Sequence, residues 1–461
     1  MREYLTTERI EPKKRLVVER TKDFGEIYEV FDRDEAASQS DRCIQCGDPF
    51  CLNKCPLHNY IPQWLKSISE KDLEFAFRLS NEPSPFPEVM GRVCPHDRLC
   101  EGDCTLNDGH GAITIGSVET HITEEGFKAG LKPEFPGITT DKKVAIIGSG
   151  PAGLSAATYL LRSGIAVTMY EKADRAGGLL TYGIPNFKLD KKVVERRVKL
   201  LQEAGLELVL NCEVGRDITF EEIANEHDAM FIGVGATKPK SAGIAGENAP
   251  NVYAAMDYLT NIQRKHFGLD YDKKFDFKDL NVVVIGGGDT AMDCLRTAKR
   301  EGAKSVTCLY RRDEKNMPGS KKEYKNAMEE GVDFTFLVSP KEIIVNDEGK
   351  AVAVEVVKTT LGAKDADGRQ KMEEVKGSEY RVNADVIIMS LGFDPAVPSF
   401  LAENGIETNS WGGIVINEET HETSTAGIYA GGDCYRGADL VVTAAFDGRE
   451  AARSISESLL K

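Results

Sequence analysis

The feature that most constrains the fold is a glycine-rich turn that occurs twice, each time between a short apolar run and a helical pattern. The first turn, GSGPAG, begins at Gly148 after VAII, and the second, GGGDTA, begins at Gly286 after VVVI. A strand, such a turn and a helix form the phosphate-binding part of a Rossmann unit, in which the helix N-terminus faces a pyrophosphate. The sequence therefore predicts an α/β protein with two Rossmann-like nucleotide-binding domains.

The residues that end the second strand of each unit differ in charge. Glu171 ends the strand AVTMYE of the first unit, and a carboxylate there can accept both hydrogen bonds of a ribose diol. The strand SVTCLYRR of the second unit ends in Arg311 and Arg312, whose guanidinium groups suit a 2′-phosphate. This difference favours NADPH over NADH at the second site, although solvated arginines at a strand end are the plainer alternative.

The end of the chain indicates which cofactor belongs to which unit. The segment TAGIYAGGD predicts a strand that ends in Gly432 and Asp433, and it resembles the second FAD signature of the two-dinucleotide-binding flavoproteins. The segments FIGVGATKP and IPNFKL are similar to that family as well. In the family, the C-terminal segment folds back onto the first Rossmann unit. The resemblance therefore implies FAD in the first unit and the pyridine nucleotide in the second.

Two sets of cofactor-binding residues follow from the fingerprints and from this resemblance. The predicted FAD residues are Gly148, Gly150, Pro151, Ala152, Gly153, Glu171, Lys172, Gly178, Leu179, Lys188, Val214, Gly432 and Asp433. The predicted NADPH residues are Gly287, Gly288, Asp289, Thr290, Arg311, Arg312 and Gly392. No catalytic acid or base is assigned, because the cofactors themselves carry hydride chemistry.

Seven of the 11 cysteines lie within the first 104 residues, and their spacing predicts iron–sulfur ligation. Four of them form C-x2-C-x4-C-x3-C-P, and the other three form C-P-x4-C-x3-C. Closely spaced thiolates can wrap a cluster, whereas structural zinc normally takes two ligand pairs separated by a longer arm. Zinc remains the alternative. The other four cysteines (Cys212, Cys294, Cys308 and Cys434) are expected to be small buried hydrophobic residues.

The cysteine pattern resembles the N-terminal domain shared by the small (beta) subunits of NADPH-dependent glutamate synthases and dihydropyrimidine dehydrogenase. The stretches CGDPFC, GRVCPHDRLCEGDC and YRRDEKNMPG extend the resemblance to the glutamate synthase subunits over the full length. In that family a non-cysteine residue of an I-x-I-G-x-x-[EQ] segment completes the second cluster, and ITIGSVE places Glu119 there. The resemblance implies two 4Fe-4S clusters, one held by Cys43, Cys46, Cys51 and Cys104 and the other by Cys55, Cys94, Cys100 and Glu119. An exposed carboxylate is the plainer alternative for Glu119.

These features predict a mainly helical iron–sulfur domain over residues 1–140, an FAD-binding domain over 141–250 and 396–461, and an NADPH-binding domain over 251–395. The resemblance implies that electrons pass from NADPH to FAD, then to the clusters, and then to a large (alpha) subunit that makes glutamate from glutamine and 2-oxoglutarate. One alternative is the electron-transfer subunit of a ferredoxin:NADP oxidoreductase or sulfide dehydrogenase, with another flavoprotein as acceptor. A non-catalytic module that only holds an assembly together is a second alternative.

Charge and hydropathy limit the partners. The formal net charge is −16, so most of the surface would repel a nucleic-acid backbone. No apolar run approaches the roughly 20 residues that a membrane-spanning helix requires. The N-terminus, MREYLTTERIEPKKR, lacks the apolar stretch of a secretory signal. We therefore expect a cytoplasmic protein that binds neither nucleic acid nor a membrane.

Overall fold

The computed structural model describes residues 3–364, 370–396 and 398–461. Its α-helices are α1 (Val17–Arg20), α2 (Arg33–Asp41), α3 (Phe50–Lys54), α4 (Ile61–Ser69), α5 (Leu73–Asn81), α6 (Pro87–Val93), α7 (Asn107–His110), α8 (Ile115–Lys128), α9 (Pro151–Arg162), α10 (Leu179–Tyr182), α11 (Lys191–Glu203), α12 (Phe220–Glu226), α13 (Ala255–His266), α14 (Asp289–Arg300), α15 (Lys321–Glu329), α16 (Ser399–Glu403), α17 (Asp433–Arg436) and α18 (Val441–Leu459).

The strands begin only after α8. They are β1 (Lys143–Ile147), β2 (Ala166–Tyr170), β3 (Leu206–Val209), β4 (Ala229–Ile232), β5 (Lys238–Pro239), β6 (Val252–Ala254), β7 (Asn281–Ile285), β8 (Ser305–Tyr310), β9 (Asp333–Phe336), β10 (Val338–Val345), β11 (Ala351–Lys364), β12 (Gln370–Glu374), β13 (Tyr380–Asn383), β14 (Val386–Met389), β15 (Phe393–Asp394) and β16 (Ile428–Ala430).

The N-terminal part is helical and has its own apolar core. Helix α2 begins with a capping box, in which the Asp32 side chain accepts from the Glu35 amide and the Glu35 side chain accepts from the Asp32 amide. Helix α4 buries Trp64 completely, and α2, α4, α5 and α8 pack around this ring. The seven N-terminal cysteines lie in and beside the short segments that connect these helices, where the backbone can turn around a ligand.

The first parallel sheet has the order β16-β4-β1-β2-β3. Strand β1 lies at its centre, and Val144, Ala145 and Ile146 have no exposed surface, as expected for a parallel strand covered on both faces. Helices α9 and α18 pack against each other beside this sheet. Strand β16 comes from the end of the chain and pairs with β4, so the C-terminal segment folds back onto the first unit, as predicted.

The second parallel sheet has the order β6-β14-β7-β8-β9. An antiparallel region over residues 338–383 follows as β10 to β13, in which β11 pairs with each of the other three strands. Residues 365–369 of that region lie outside the described residues. Two Rossmann-like units after a helical domain confirm the predicted fold class, whereas the domain boundaries remain a prediction.

Buried ion pairs connect the three parts of the chain. Arg20 of the N-terminal segment is 1% exposed and donates to Glu329 and Glu330 at the end of α15. Arg197 of α11 donates to both oxygens of Glu88 in α6, at 2.7 and 2.6 Å. These contacts fix the helical domain against both nucleotide-binding units. Among the described residues, no helix is both long and apolar enough to cross a membrane.

Candidate cofactor sites

A cavity of about 900 Å³ opens at the carboxyl ends of the first sheet and extends to the second unit. This is at the upper end of the usual size for a ligand pocket. The predicted FAD residues that line it are Gly148, Gly150, Pro151, Ala152, Glu171, Lys172, Gly178, Leu179, Lys188, Val214, Gly432 and Asp433. Gly153 is the exception, because it lies under the turn where α9 packs on the strand.

The turn that precedes α9 has no space for larger residues at two of its glycines. A Cβ on Gly148 would lie 2.5 Å from the Gly233 carbonyl oxygen, and its φ of +99° disfavours any side chain. A Cβ on Gly153 would lie 2.0 Å from the Gly148 carbonyl oxygen. Gly150, in contrast, faces open space at the N-terminus of α9. An open glycine beside a helix N-terminus fits a closely approaching pyrophosphate.

Glu171 is held firmly in the wall of the cavity. Its Oε2 accepts from the Ser149 amide at 3.0 Å and from Ser149 Oγ at 2.5 Å, and its Oε1 accepts from the Ala173 amide at 2.8 Å. The side chain therefore has a fixed orientation against the turn before α9. That position is the one expected for a ribose-binding carboxylate, whose role here remains a prediction.

Asp433 lies where the returning C-terminal segment reaches the cavity. It starts α17 directly after Gly432, whose φ is +75°. Burial raises the pKa of Asp433 to about 7. Asp433 has lost part of its hydration and lines an open cavity, so a polar ligand bound there could supply the hydrogen bonds that water no longer makes.

The second unit repeats this geometry with different side chains. A Cβ on Gly287 would lie 2.5 Å from the Tyr310 ring, whereas Gly288 faces open space at the N-terminus of α14. Asp289 and Thr290 in the first turn of α14 line the large cavity. Gly392, with a φ of +92°, follows β14 at the same end of the sheet.

Arg311 and Arg312 follow β8 at this end of the second sheet but do not line the large cavity. Arg311 is exposed, and Arg312 is half-buried with its Nε lacking a hydrogen-bond partner among the described residues. A half-buried guanidinium with a free donor fits a phosphate. The structure thus separates the proposed 2′-phosphate residues from the part of the site that faces FAD.

One cavity in the helical domain is lined by the four cysteines predicted to hold the first cluster, namely Cys43, Cys46, Cys51 and Cys104. Burial raises the pKa of Cys43 to about 11 and that of Cys51 to about 12. Iron ligation would compensate the buried thiolates. Among the described residues, no three His, Cys, Asp or Glu side chains are close enough to hold a single metal ion. A ring of cysteines around a space fits a cluster of several irons.

A second cavity is lined by the other predicted ligands, namely Cys55, Cys94, Cys100 and Glu119. Glu119 is 5% exposed and not at the surface. Its Oε1 accepts from Asn59 at 2.7 Å, and Asn59 in turn accepts from Trp64 Nε1 at 3.2 Å. Burial raises the pKa of Glu119 to about 8. A carboxyl group that is buried beside three cysteines is better explained as a ligand of a cluster than as an ordinary residue of an apolar helical core.

The three cavities have common walls. Cys94 and Val442 line both the large cavity and the second cysteine cavity, and Ile115 lines both cysteine cavities. The first cysteine cavity is also lined by Phe50, which is 52% exposed. The cavities therefore form a series that runs from the nucleotide-binding units to the surface of the helical domain.

Sequence reasoning missed several residues of these sites. Asn59, which holds Glu119, and Asp293, which pairs with Lys188, have no motif that marks them. Arg98, in the loop between Cys94 and Cys100, lies 3.3 Å from Asp289. Cys294, Cys308 and Cys434 are buried as expected. Cys212 is not, because it is half-buried and lines the large cavity beside Val214.

Two family models match the chain. One is described as dihydropyrimidine dehydrogenase domain II, 4Fe-4S cluster, and it matches residues 20–131. The other, the pyridine nucleotide-disulphide oxidoreductase family, matches residues 142–448. The first match covers all seven N-terminal cysteines, and the second covers both glycine-rich turns.

Individual proteins are similar to the chain as well. The NADPH-dependent glutamate synthase small chain of Halomonas elongata is 49% identical over 99% of this chain and 98% of its own length. AegA, a putative oxidoreductase of Escherichia coli, is 46% identical over 98% of this chain and 70% of its own length. Mycobacterium tuberculosis FprA in complex with NADPH has the same fold, with a TM-score of 0.58 and 20% identity, over 69% of this chain and 85% of FprA.

Proposed function

The chain belongs to the family of NADPH-dependent glutamate synthase small chains, and we propose that it is the electron-input subunit of such an enzyme. In this role it accepts electrons from NADPH and passes them through FAD and two 4Fe-4S clusters to a large subunit, which makes glutamate from glutamine and 2-oxoglutarate. The family match confirms the predicted 4Fe-4S domain and the predicted pyridine nucleotide oxidoreductase. We place the protein in the cytoplasm, bound to that large subunit.

The observation that carries this proposal is the series of three cavities with common walls. Electron transfer between centres requires short distances, and Cys94 belongs to the walls of both the large cavity and the second cysteine cavity. Ile115 belongs to both cysteine cavities. This arrangement supports a linear order of the centres through the protein: the nucleotide site, the second cluster, the first cluster and the surface near Phe50.

The proposed residues bind and orient the cofactors. The helix N-termini after Gly150 and Gly288 receive the two pyrophosphates, Glu171 receives the FAD ribose, and Arg311 and Arg312 receive the 2′-phosphate of NADPH. When bound, FAD supplies the conversion from a two-electron donor to one-electron acceptors. The cysteines and Glu119 hold the clusters in place. We assign no protein residue as a general acid or base.

The test separates NADPH oxidation from electron delivery. Anaerobically prepared protein should hold about eight irons per chain, the sum for two 4Fe-4S clusters. The isolated chain should reduce ferricyanide or a tetrazolium dye with NADPH but should make no glutamate until a large subunit is added. Cys55→Ala and Cys46→Ala should each lose one cluster, keep NADPH-to-flavin hydride transfer and abolish glutamate synthesis in the complex. Cys294→Ala, a buried cysteine outside both cavities, is the matched control and should keep both activities.

Some outcomes would contradict the proposal. Two irons or fewer per chain, or bound zinc in their place, would exclude the two-cluster assignment. A Cys55→Ala protein that supports full glutamate synthesis would exclude the electron route. Flavin that NADPH does not reduce would favour a module that only holds an assembly together.

A second candidate is supported by the match to AegA, which extends over only 70% of that protein. A chain of this kind can therefore form part of a different oxidoreductase. In that case it delivers electrons to another flavoprotein, as a ferredoxin:NADP oxidoreductase or sulfide dehydrogenase subunit would. Isolation of the native complex distinguishes the two functions, because a glutamate synthase large subunit is expected only for the first.

A further inference from the structure

Four arginines are completely buried, and one of them has no carboxylate partner. Among the described residues, these arginines are Arg20, Arg42, Arg197 and Arg296. Arg20 and Arg296 both donate to Glu330, and Arg197 donates to Glu88. Arg42 makes no ion pair in the described part of the chain, because its hydrogen bonds go to main-chain carbonyls. Burial of an unpaired charge costs free energy, so a compensating charge is expected near Arg42.

The guanidinium group of Arg42 is held by four carbonyl groups. Its Nε donates to Thr7 at 3.1 Å, its Nη1 donates to Ala112 at 3.0 Å, and its Nη2 donates to His110 at 2.7 Å and to Gly111 at 2.8 Å. These hydrogen bonds use most of its donors and fix its position. Carbonyl groups bring no formal negative charge, however. The positive charge of Arg42 is therefore fixed in place and has no counter-charge among the side chains that hold it.

This charge lies behind the wall of the first cysteine cavity. Arg42 directly precedes the predicted ligand Cys43. Its acceptor Ala112 is followed by Ile113, which lines that cavity. Burial lowers the pKa of Arg42, whereas the thiolate of Cys104, another predicted ligand of the first cluster, acts to raise it. The guanidinium group is thus close enough to this cavity to interact with a negative charge inside it.

Two cations near the second cysteine cavity are paired instead. Arg449 donates to a carbonyl group in the wall of that cavity, and it pairs with Glu450 at 3.0 Å. Arg9 pairs at 2.7 Å with Glu101, which directly follows the predicted ligand Cys100. These positive charges are therefore largely cancelled before they reach the second cavity. Of the two predicted clusters, it is the first that lies beside the unpaired, completely buried arginine.

We propose that Arg42 is the counter-charge of the first 4Fe-4S cluster and makes this cluster a better electron acceptor than the second. The proposal rests on the two clusters of the proposed function. A cluster held by four thiolates is negatively charged, and one further electron increases that charge without any bond being formed or broken. A fixed positive charge in a site of low dielectric constant favours the reduced form. An electron given up by the second cluster therefore passes to the first, so the linear order of the centres acquires a direction.

The experiment compares Arg42→Gln with Arg42→Lys in the full-length protein with its cofactors. Both variants lose the guanidinium contacts with the carbonyl groups, but only Arg42→Lys keeps the charge. Anaerobic redox titration followed by electron paramagnetic resonance gives the midpoint potential of each cluster, and the Cys46→Ala and Cys55→Ala proteins assign each signal to its cluster. In the wild type, the first cluster should be reduced before the second.

The expected effect is a lower potential of the first cluster when the charge is removed. Arg42→Gln should weaken the electron affinity of the first cluster about tenfold, which is about 59 mV for one electron, and should change that of the second cluster by less than about threefold. Arg42→Lys should keep both electron affinities within about threefold of the wild type, because the charge remains behind the cavity wall.

The matched control is Arg20→Gln, which also removes a completely buried arginine but one that lines neither cysteine cavity. Its partner Glu330 still pairs with Arg296 and Arg300 in this variant, so the carboxylate is not left alone. Arg20→Gln should keep the wild-type potentials of both clusters.

The outcomes separate charge from structure. A wild-type potential of the first cluster in Arg42→Gln, or equal losses in Arg42→Gln and Arg42→Lys, would overturn the counter-charge role. Loss of the first cluster from both variants would also overturn it, because the site would then require the guanidinium hydrogen bonds and not the charge. Loss from Arg42→Gln alone would support it. The proposed function fails separately, if the wild-type protein lacks the two clusters or if NADPH does not reduce its flavin.

Discussion

The two nucleotide-binding units share one strand order and differ where a cofactor would touch them. Strands β1, β2, β3, β4 and β16 of the first sheet correspond in order to β7, β8, β9, β14 and β6 of the second. The third position of the glycine-rich turn is Gly153 in the first unit and Ala291 in the second. The second strand is followed by Glu171 in one unit and Arg311 in the other. The edge strand leads to Asp433 in one unit and into α13 in the other.

The difference shows which part of such a unit the fold determines and which part the side chains determine. The parallel sheet and the helix N-terminus give both units the backbone groups that a phosphate site requires, because these groups point to the same end of each sheet. The residue after the second strand then adds a negative charge in the first unit and a positive charge in the second. Function is thus placed on a common scaffold by a few side chains at the carboxyl ends of the strands.

The largest expected effect is a complete loss of bound FAD, and it comes from the third position of the turn. A Cβ on Gly153 would lie 2.0 Å from the Gly148 carbonyl oxygen and 3.3 Å from the Ile146 side chain. Gly153→Ala should therefore displace α9 from the turn, cost about 1–3 kcal/mol of stability and prevent FAD binding. The ratio of flavin to protein absorbance after purification measures the loss.

The second unit provides the matched control. Ala291 already carries a Cβ and has no exposed surface, so Ala291→Gly should cost only about 1 kcal/mol and leave the flavin bound. A Gly153→Ala protein with a full complement of FAD would show that the two turns are not as different as the structure indicates.

The next largest effect is on NADPH binding, and it comes from the positive charges of Arg311 and Arg312 after the second strand of the second unit. Replacement of Arg311 and Arg312 by glutamine should weaken NADPH binding by several kcal/mol, using about 1.5–3 kcal/mol for each charged hydrogen bond. NADH binding should change little, because NADH has no 2′-phosphate. Titration of flavin reduction with each nucleotide gives both affinities. An unaltered preference for NADPH would mean that other residues recognise the phosphate.

Local patterns were sufficient to predict most of the fold, and the family resemblance implied the grouping of the candidate ligands. Each strand–turn–helix unit is contiguous in sequence, and the cysteines of each predicted cluster lie together around one cavity. The pairing of Lys188 with Asp293 had no such signal, because the two residues are far apart in the chain and meet only when the two units pack. The same holds for Arg20 with Glu330, and for Cys212, whose exposure depends on the shape of the cavity.

The smallest expected effect is on the pH dependence of stability, and it concerns Asp433, which follows the edge strand of the first sheet. The pKa of Asp433 is raised by burial to about 7, above the ordinary value of 3.8 that applies in the unfolded chain. The folded state thus binds this proton more tightly, so its stability should fall as the pH rises from about 4 to about 7 and stay level above. We expect roughly 2 kcal/mol, because solvent in the cavity reaches part of the carboxyl group.

Urea unfolding of flavin-free protein at pH 5 and pH 7.5 tests this expectation, with Asp433→Asn as the variant and the exposed Asp270→Asn as the control. Asp433→Asn should gain stability relative to the wild type at pH 7.5 and should lose the pH dependence that this group contributes. Asp270→Asn should keep the wild-type dependence, because its carboxylate is in water in both states. Equal pH profiles for all three proteins would mean that Asp433 is solvated in the folded chain. In that case the first unit would have no buried carboxyl group at its edge strand, and the two units would differ only at the turn and at the second strand.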